Sequence, residues 1–393
     1  MILDGVRDGT VRETDISKQI NINGYNETFF VYEIQLDKLY YNDKNDRIAS
    51  YINYYRYVHN DQLTSRNNIE EYNKLMGGYI RNSNSKKLDA TKQSIKSDGQ
   101  QEVGFVACDG RIIDGNRRFT CLRELHKDYP DDDRFKYFKA CVLKEDISDK
   151  DIKLLELTLQ HKDQIVPYEP EEDLLGIYNS IIKTKQITDE EYISHISPTE
   201  QKTFARRKAQ SILMMDFLNF VKMPENVFIV KNLKIVSGFD TLEIYERTKL
   251  KKNEDLKPQL RELVYSFLVL QMPDAVHQIR KIYKFDIERM TAFIEAQKSL
   301  VEEIKKELPE INEEHKKAFA DKAFNAIDKW VLADQLDKER CKPQEVIDES
   351  LRNINTINMA IVKSLPKEDF ESFKNKMIEL QDLLNIKLND LTK

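Results

Sequence analysis

The sequence predicts an α+β unit near the N-terminus followed by an all-helical remainder, and three observations carry that prediction. Strand-like and helix-like stretches alternate up to about residue 148, the pattern of a small mixed domain. From Lys150 onward almost every segment repeats its Leu, Ile and Phe at helical spacing behind charged faces. Only 11 glycines and 10 prolines occur in 393 residues, too few for the many tight turns of a sandwich or propeller.

The elements follow in chain order. Residues 1–30 are polar and form an N-terminal extension or an edge strand. Phe29 to Leu39, rich in β-branched and aromatic residues, is predicted as a strand. The tyrosine-rich stretch from Ile48 to Asn84 is predicted helical with irregular connections. Leu88 to Ser97 forms a short helix, with Gly99 as its stop. Glu102 to Cys108 is a strand, Asp109-Gly110 a hairpin turn, and Arg111 to Ile113 the return strand. Asp114-Gly115-Asn116 breaks that strand, Arg117 to His126 is helical, and Tyr137 to Leu143 is a further strand.

In the helical remainder, Thr188 to Glu191 carries the capping-box pattern of a short helix reaching Ile196. Ser197-Pro198 turns the chain, and a longer helix runs from Thr199 or Glu200 to Val221. Further helices are predicted from Lys257 to Leu270, Asp274 to Tyr283, Asp286 to Glu307, Glu313 to Leu336, Pro343 to Ser364 and Lys367 to Leu391. The division is thus an extension (1–30), an α+β domain (31–148), a helical region with a helix-turn-helix candidate (149–222) and a C-terminal helical domain (223–393).

Composition narrows the function. A net charge of −6 argues against a protein that coats nucleic acid without sequence preference, while leaving a local basic face open. The four cysteines, Cys108, Cys121, Cys141 and Cys341, are dispersed and form no CxxC pair. A zinc site or disulfide framework is not expected, and the usage fits a reducing cytoplasm. The N-terminus lacks a basic segment leading into an apolar one, no run approaches the ~20 apolar residues of a membrane span, and a cytoplasmic location without membrane contact is expected. The six histidines show no metal-ligand spacing, so no metal ligands are assigned among them.

The informative stretch is Ser94 to Leu125, centred on Asp114-Gly115-Asn116-Arg117-Arg118. A glycine between strand and helix lets backbone amides approach a ligand. The helix start offers unpaired N–H groups and the positive dipole end to an anion. Two arginines there add bidentate donors for phosphate oxygens. The competing reading is a solvated helix cap in which Asp114 pairs with Arg117 or Arg118.

Together with its neighbours this stretch resembles the ParB/sulfiredoxin superfamily, from about Glu33 to about Asp173. Ile34 to Arg47 (IQLDKLYYNDKNDR) is similar to the first family box, with Asn45 and Arg47 as its Asn-x-Arg pair. Ser94 to Val103 (SIKSDGQQEV) resembles the helix and Gly-Gln step, carried by Ser94, Ile95, Gly99 and Gln100. Asp114 to Phe119 (DGNRRF) resembles the central Gly-x-Arg-Arg box at Gly115, Arg117 and Arg118. Lys144 to Asp173 is similar to the third box, with Gln160, Asp163, Pro170 and Glu172 on matching positions. The family's usual glutamate in the central box is Asn116 here. Its acidic-amide pair aligns with Leu157 and Thr158, and Glu156 sits one residue early, so phosphate binding is the firmer implication and metal-dependent hydrolysis the weaker.

The resemblance implies a DNA-associated protein of a bacterium, phage or mobile element, working as a homodimer. Its nucleoside triphosphate, CTP or ATP, with or without magnesium, would be held by Gly99, Gln100, Asp114, Gly115, Asn116, Arg117, Arg118 and Gln160. Asp114 and Glu156 are the catalytic candidates if the chain is instead an NTPase, kinase or nuclease of the same superfamily. A protein-interaction module with a vestigial nucleotide site is the third reading. Sulfiredoxin-type reduction is not expected, because no cysteine falls in the central box and Cys121 is read as packing on the buried side of its helix. Lys202, Arg206, Arg207 and Lys208, at the start of the second helix after the Ser197-Pro198 turn, are the DNA-contact candidates. Positive charge at a helix start opposes the dipole and calls for an anionic partner there, against the bland reading of a solvated face.

Overall fold

A computed structural model describes residues 2–22, 25–59, 68–145, 147–162, 169–224, 226–271 and 274–391. The chain divides into two compact units, Met1–Asn325 and Ala326–Lys393.

The first unit opens on a 3-10 turn, Ile2–Val6, and a six-stranded sheet. Strand β1 (Val11–Ile22) is an edge strand, the second of the two alternatives read from the sequence. It pairs antiparallel with β2 (Tyr25–Gln35) through a register irregularity between Glu13 and Ser17. Strand β2 stops earlier than Leu39, because Leu36–Lys38 tightens into a 3-10 turn. The two-residue strand β3 (Tyr40–Tyr41) was not foreseen from sequence, where so short a run carries no period.

Helices α1 (Ala49–Val58), α2 (Ile69–Ser83) and α3 (Ser85–Asp98) follow. Gly99 ends α3 at φ +73°, a left-handed backbone that suits glycine. Strands β4 (Gly104–Val106) and β5 (Arg111–Asp114) form the expected hairpin around Asp109-Gly110, then come α4 (Asn116–Asp128) and β6 (Tyr137–Val142). The sheet order is β1-β2-β6-β4-β5-β3, with parallel pairs β4/β6 and β3/β5.

Alternation along the strands splits the apolar residues between two faces. Ile112, Phe138 and Ala140 join Tyr72, Met76, Leu88, Phe119 and Leu122 of α2, α3 and α4 in one core. Ile113, Phe105 and Cys141 face the other way, against Ile152, Leu155 and Leu159 of α5 (Asp149–Lys162). The reverse side of α5, with Leu154 and Leu157, packs on Ile177, Ile181, Tyr192 and Phe204. Those residues come from α6 (Pro170–Ile177), a π-helical turn (Tyr178–Lys183), α7 (Asp189–Ser194) and α8 (Pro198–Phe220). Helix α5 is thereby the shared wall between sheet and helices.

Both helix starts read from the sequence carry complete capping boxes, Thr188 with Glu191 and Ser197 with Glu200, the latter with Pro198 at the first helical position. Helices α9 (Phe228–Leu233), α10 (Val236–Thr248), α11 (Leu256–Val269), α12 (Ala275–Ile282) and α13 (Ile287–Glu307) continue. Helix α14 spans Glu313–Asn355 without the break expected between Leu336 and Pro343, and it carries Pro343 inside. The second unit is completed by α15 (Met359–Lys363) and α16 (Lys367–Leu391), a helix with no buried residue. No helix among the described residues is long and apolar enough to cross a membrane.

Candidate functional site

Strand β5 ends at Asp114, Gly115 turns the chain at φ +97°, and α4 begins at Asn116. A side chain at 115 would be strained in that backbone, and its Cβ would lie 2.8 Å from the Phe138 ring. Gly115 contributes no side-chain cap, and the first backbone bond of the helix runs from Phe119 N–H to the Gly115 carbonyl at 2.9 Å. The N–H groups of residues 116–118 precede that first bond and have no partner within the helix.

These residues line a cavity of about 520 Å³. The loop after β3 adds Asn45 and Arg47, α2 adds Ser83, α3 adds Thr91, and α5 adds Glu156 and Leu159. The first, central and third segments singled out in the sequence thus meet at one place. Asn45 holds its loop in shape by accepting the Arg47 N–H at 3.0 Å, capping a 3-10 turn over Asp46–Ile48.

The two arginines have different fates. Arg118 donates to Asp114 at 2.7 Å and to the Val103 carbonyl at 3.3 Å, so Asp114 and Arg118 satisfy one another. Arg117 meets no carboxylate and no hydrogen-bond acceptor among the described residues. Burial pulls its pKa below the usual guanidinium value, and the charges of Arg47 and Arg118 push the same way. A half-buried cation facing other cations at a helix N-terminus is a place where an anion is stabilised.

Glu156 is buried and accepts from Asn42 Nδ2 at 2.8 Å, with Lys153 Nζ at 3.7 Å. Lys153 in turn holds Asp46, which is buried as well. Burial pushes the Glu156 carboxyl up to about 7, opposed by Lys153 and Arg111 and helped by Asp46 and Asp114. Burial alone would lower Lys153, but Asp46 and Glu156 more than offset it and raise it. Sequence reasoning assigned no role to Asn42, Asp46 or Lys153. Nothing in the sequence marks a lysine in a charged helix as the buried one.

Other site candidates lie elsewhere. Gly99 and Gln100 are not among the residues lining the cavity. The Gln100 amide donates to the Glu102 and Lys139 carbonyls and accepts from Lys139 N, each at 2.8 Å, which ties β6 to the segment before β4. The Asn116 side chain is buried with its Oδ1 unpartnered. The Gln160 side chain, and Asp163, lie outside the described residues. Cys121 is fully buried in the core, its thiol pushed up to about 12 by burial, then by Glu124.

On α8, Arg207 makes a two-pronged ion pair with Asp173, Lys208 meets Asp189 at 2.6 Å, and Arg206 lies 3.2 Å from Asp240. The chain itself supplies anions to these three cations, and Lys202 is exposed. Lys202 and Arg206 line a groove of about 760 Å³ shared with Arg247, Lys251 and Lys257, and with Glu243, Glu246 and Glu254.

Comparison with family models, with curated proteins and with solved structures finds no match in any of the three. The functional reading therefore rests on the site itself.

Proposed function

We propose that this chain is a ParB-like, DNA-associated protein whose N-terminal unit binds a nucleoside triphosphate in the cavity at the start of α4. One observation carries the proposal: Arg117, half-buried and without a carboxylate, stands beside Arg47 above the free N–H groups of a helix start. A phosphate group supplies the missing negative charge. Asp114 is spent on Arg118, and Glu156 on Asn42 and Lys153, so magnesium would arrive held by the phosphates, with no interior carboxylate reserved for it. DNA or second-subunit contact falls to the helical region, where Lys202 and Arg206 keep the most exposed charge of the α8 run.

A second reading, an enzyme that hydrolyses or transfers the terminal phosphate, is favoured by Glu156. A cavity-lining carboxyl that titrates near 7 is suited to take a proton at neutral pH.

A thermal-shift panel of CTP, ATP, GTP and UTP, each with and without magnesium, tests the first reading. A triphosphate at ~100 times its dissociation constant stabilises the native state by about 2.7 kcal/mol. Stabilisation by one or more of them is expected, and its absence with all four would contradict the reading. Phosphate release that vanishes in Glu156→Gln while binding persists would select the enzyme.

A further inference from the structure

We propose that a second cavity, separated from the first by Glu156, is a distinct binding site for a small organic acid that also carries a hydroxyl or amino group. This cavity measures about 580 Å³ and is lined by the loop after β3, by α1, by the start of β5, by the first half of α5 and by the π-helical turn. Glu156 lines both cavities, yet Asn45, Arg47 and Asp114 to Arg118 belong to the first alone.

Two polar side chains in its wall are the decisive feature. Asn53 and Ser180 are 7% and 4% exposed, and neither the carboxamide nor the hydroxyl has a hydrogen-bond partner among the described residues. Leaving such a group unpaired costs roughly 1–3 kcal/mol, and folded chains seldom tolerate it without a reason. Together the two groups offer donors and acceptors suited to a ligand hydroxyl or amine.

The backbone gives a second, independent indication. Ser180 sits in the π-helical turn Tyr178–Lys183, a widened and infrequent geometry that recurs at functional sites. The turn also brings Asn179 and Lys183 to the same wall.

Charge selects the acid. Five cations and four carboxylates line the cavity, and three of those carboxylates are committed within the chain. Asp149 binds Lys44 at 2.8 Å, and Asp46 and Glu156 hold Lys153. Arg111 keeps a buried Nε without an acceptor. A carboxylate placed against this wall, with its second polar group at Asn53 and Ser180, meets complementary partners at both ends.

The inference stands apart from the nucleotide reading, and the test keeps them apart. L-Serine, L-aspartate, L-malate and D-glycerate are offered at millimolar concentration in a thermal-shift assay, with pyrophosphate as the probe of the first cavity. At least one acid is expected to raise the melting temperature of the wild type. That rise should disappear in the double variant Asn53→Leu/Ser180→Ala and survive in Arg117→Ala, with the pyrophosphate response behaving in the opposite way. Folding of the double variant is checked by circular dichroism, and Ser180→Ala alone, which removes one oxygen, should weaken the acid response if the pair cannot fold. No shift of the wild type with any of the four acids, or a shift unchanged in these variants, would overturn the proposal whatever pyrophosphate does.

Discussion

Two arginine-bearing helix starts look alike in the sequence and differ in the folded chain. At α4, one of two adjacent arginines is paired and the other, Arg117, meets only like charge among its charged neighbours. At α8, Arg206, Arg207 and Lys208 each find an aspartate from another element, Asp240, Asp173 and Asp189. A basic run is therefore a question about partners. Where the fold provides carboxylates the run ties helices together, and where it withholds them the charge is left for a ligand. The first case is structural glue, and the second is the basis of the proposed phosphate site.

The comparison can be broken at its strongest structural contact. Arg207 and Asp173 are largely buried, so Arg207→Ala leaves a carboxylate without its partner, and we expect a loss of roughly 3 kcal/mol in urea unfolding. A loss near zero would place Arg207 with the solvated cations instead. At the other helix start the equivalent test is Gly115→Ala. The left-handed backbone costs about 1–2 kcal/mol there, and the approach to Phe138 adds to it, so lower stability and weaker triphosphate binding are expected together.

Titration sharpens the same contrast between satisfied and unsatisfied charge. Glu172, buried and held by Ser50, is pushed up to about 8, chiefly by burial, and Glu156 to about 7. Both folded values lie above the unfolded one near 4.5, so the native state keeps protons that the unfolded chain has released. Stability then falls as pH rises from about 4.5 towards 8. Unfolding at pH 5.5 and pH 8 should differ by on the order of 2 kcal/mol, and Glu172→Gln, which retains an acceptor for Ser50, should reduce that difference. An unchanged slope in the variant would mean that Glu172 does not carry it. The smallest effect belongs to Arg206→Ala, where an exposed pair with Asp240 is lost and stability should change by less than about 1 kcal/mol.

Much of this was legible from the chain alone, for stated physical reasons. Gly99, the Asp109-Gly110 turn and the two Ser/Thr-x-x-Glu boxes are local signals, and each marks an observed boundary. The alternation of Ile112 and Ile113 announces a strand buried on both faces, which the two cores show. Pro343 misled because helix-breaking propensity is a local tendency that the continuous α14 overrides. In the site, the motif placed Arg117 and Arg118 side by side but could not say which one Asp114 would take. That choice depends on side-chain direction in the first turn of α4, with Arg118 four residues from Asp114 and therefore within reach. The buried Lys153, Asp46 and Glu156 group stayed hidden because its members lie more than a hundred residues apart.

The most direct measurement is calorimetric titration of CTP and ATP into the wild type, Arg117→Ala and Arg118→Ala. Triphosphate binding by the wild type that is abolished in Arg117→Ala and only weakened in Arg118→Ala is the predicted result, since Arg118 already serves Asp114. Binding that is undiminished in Arg117→Ala would contradict the assignment of the phosphate site.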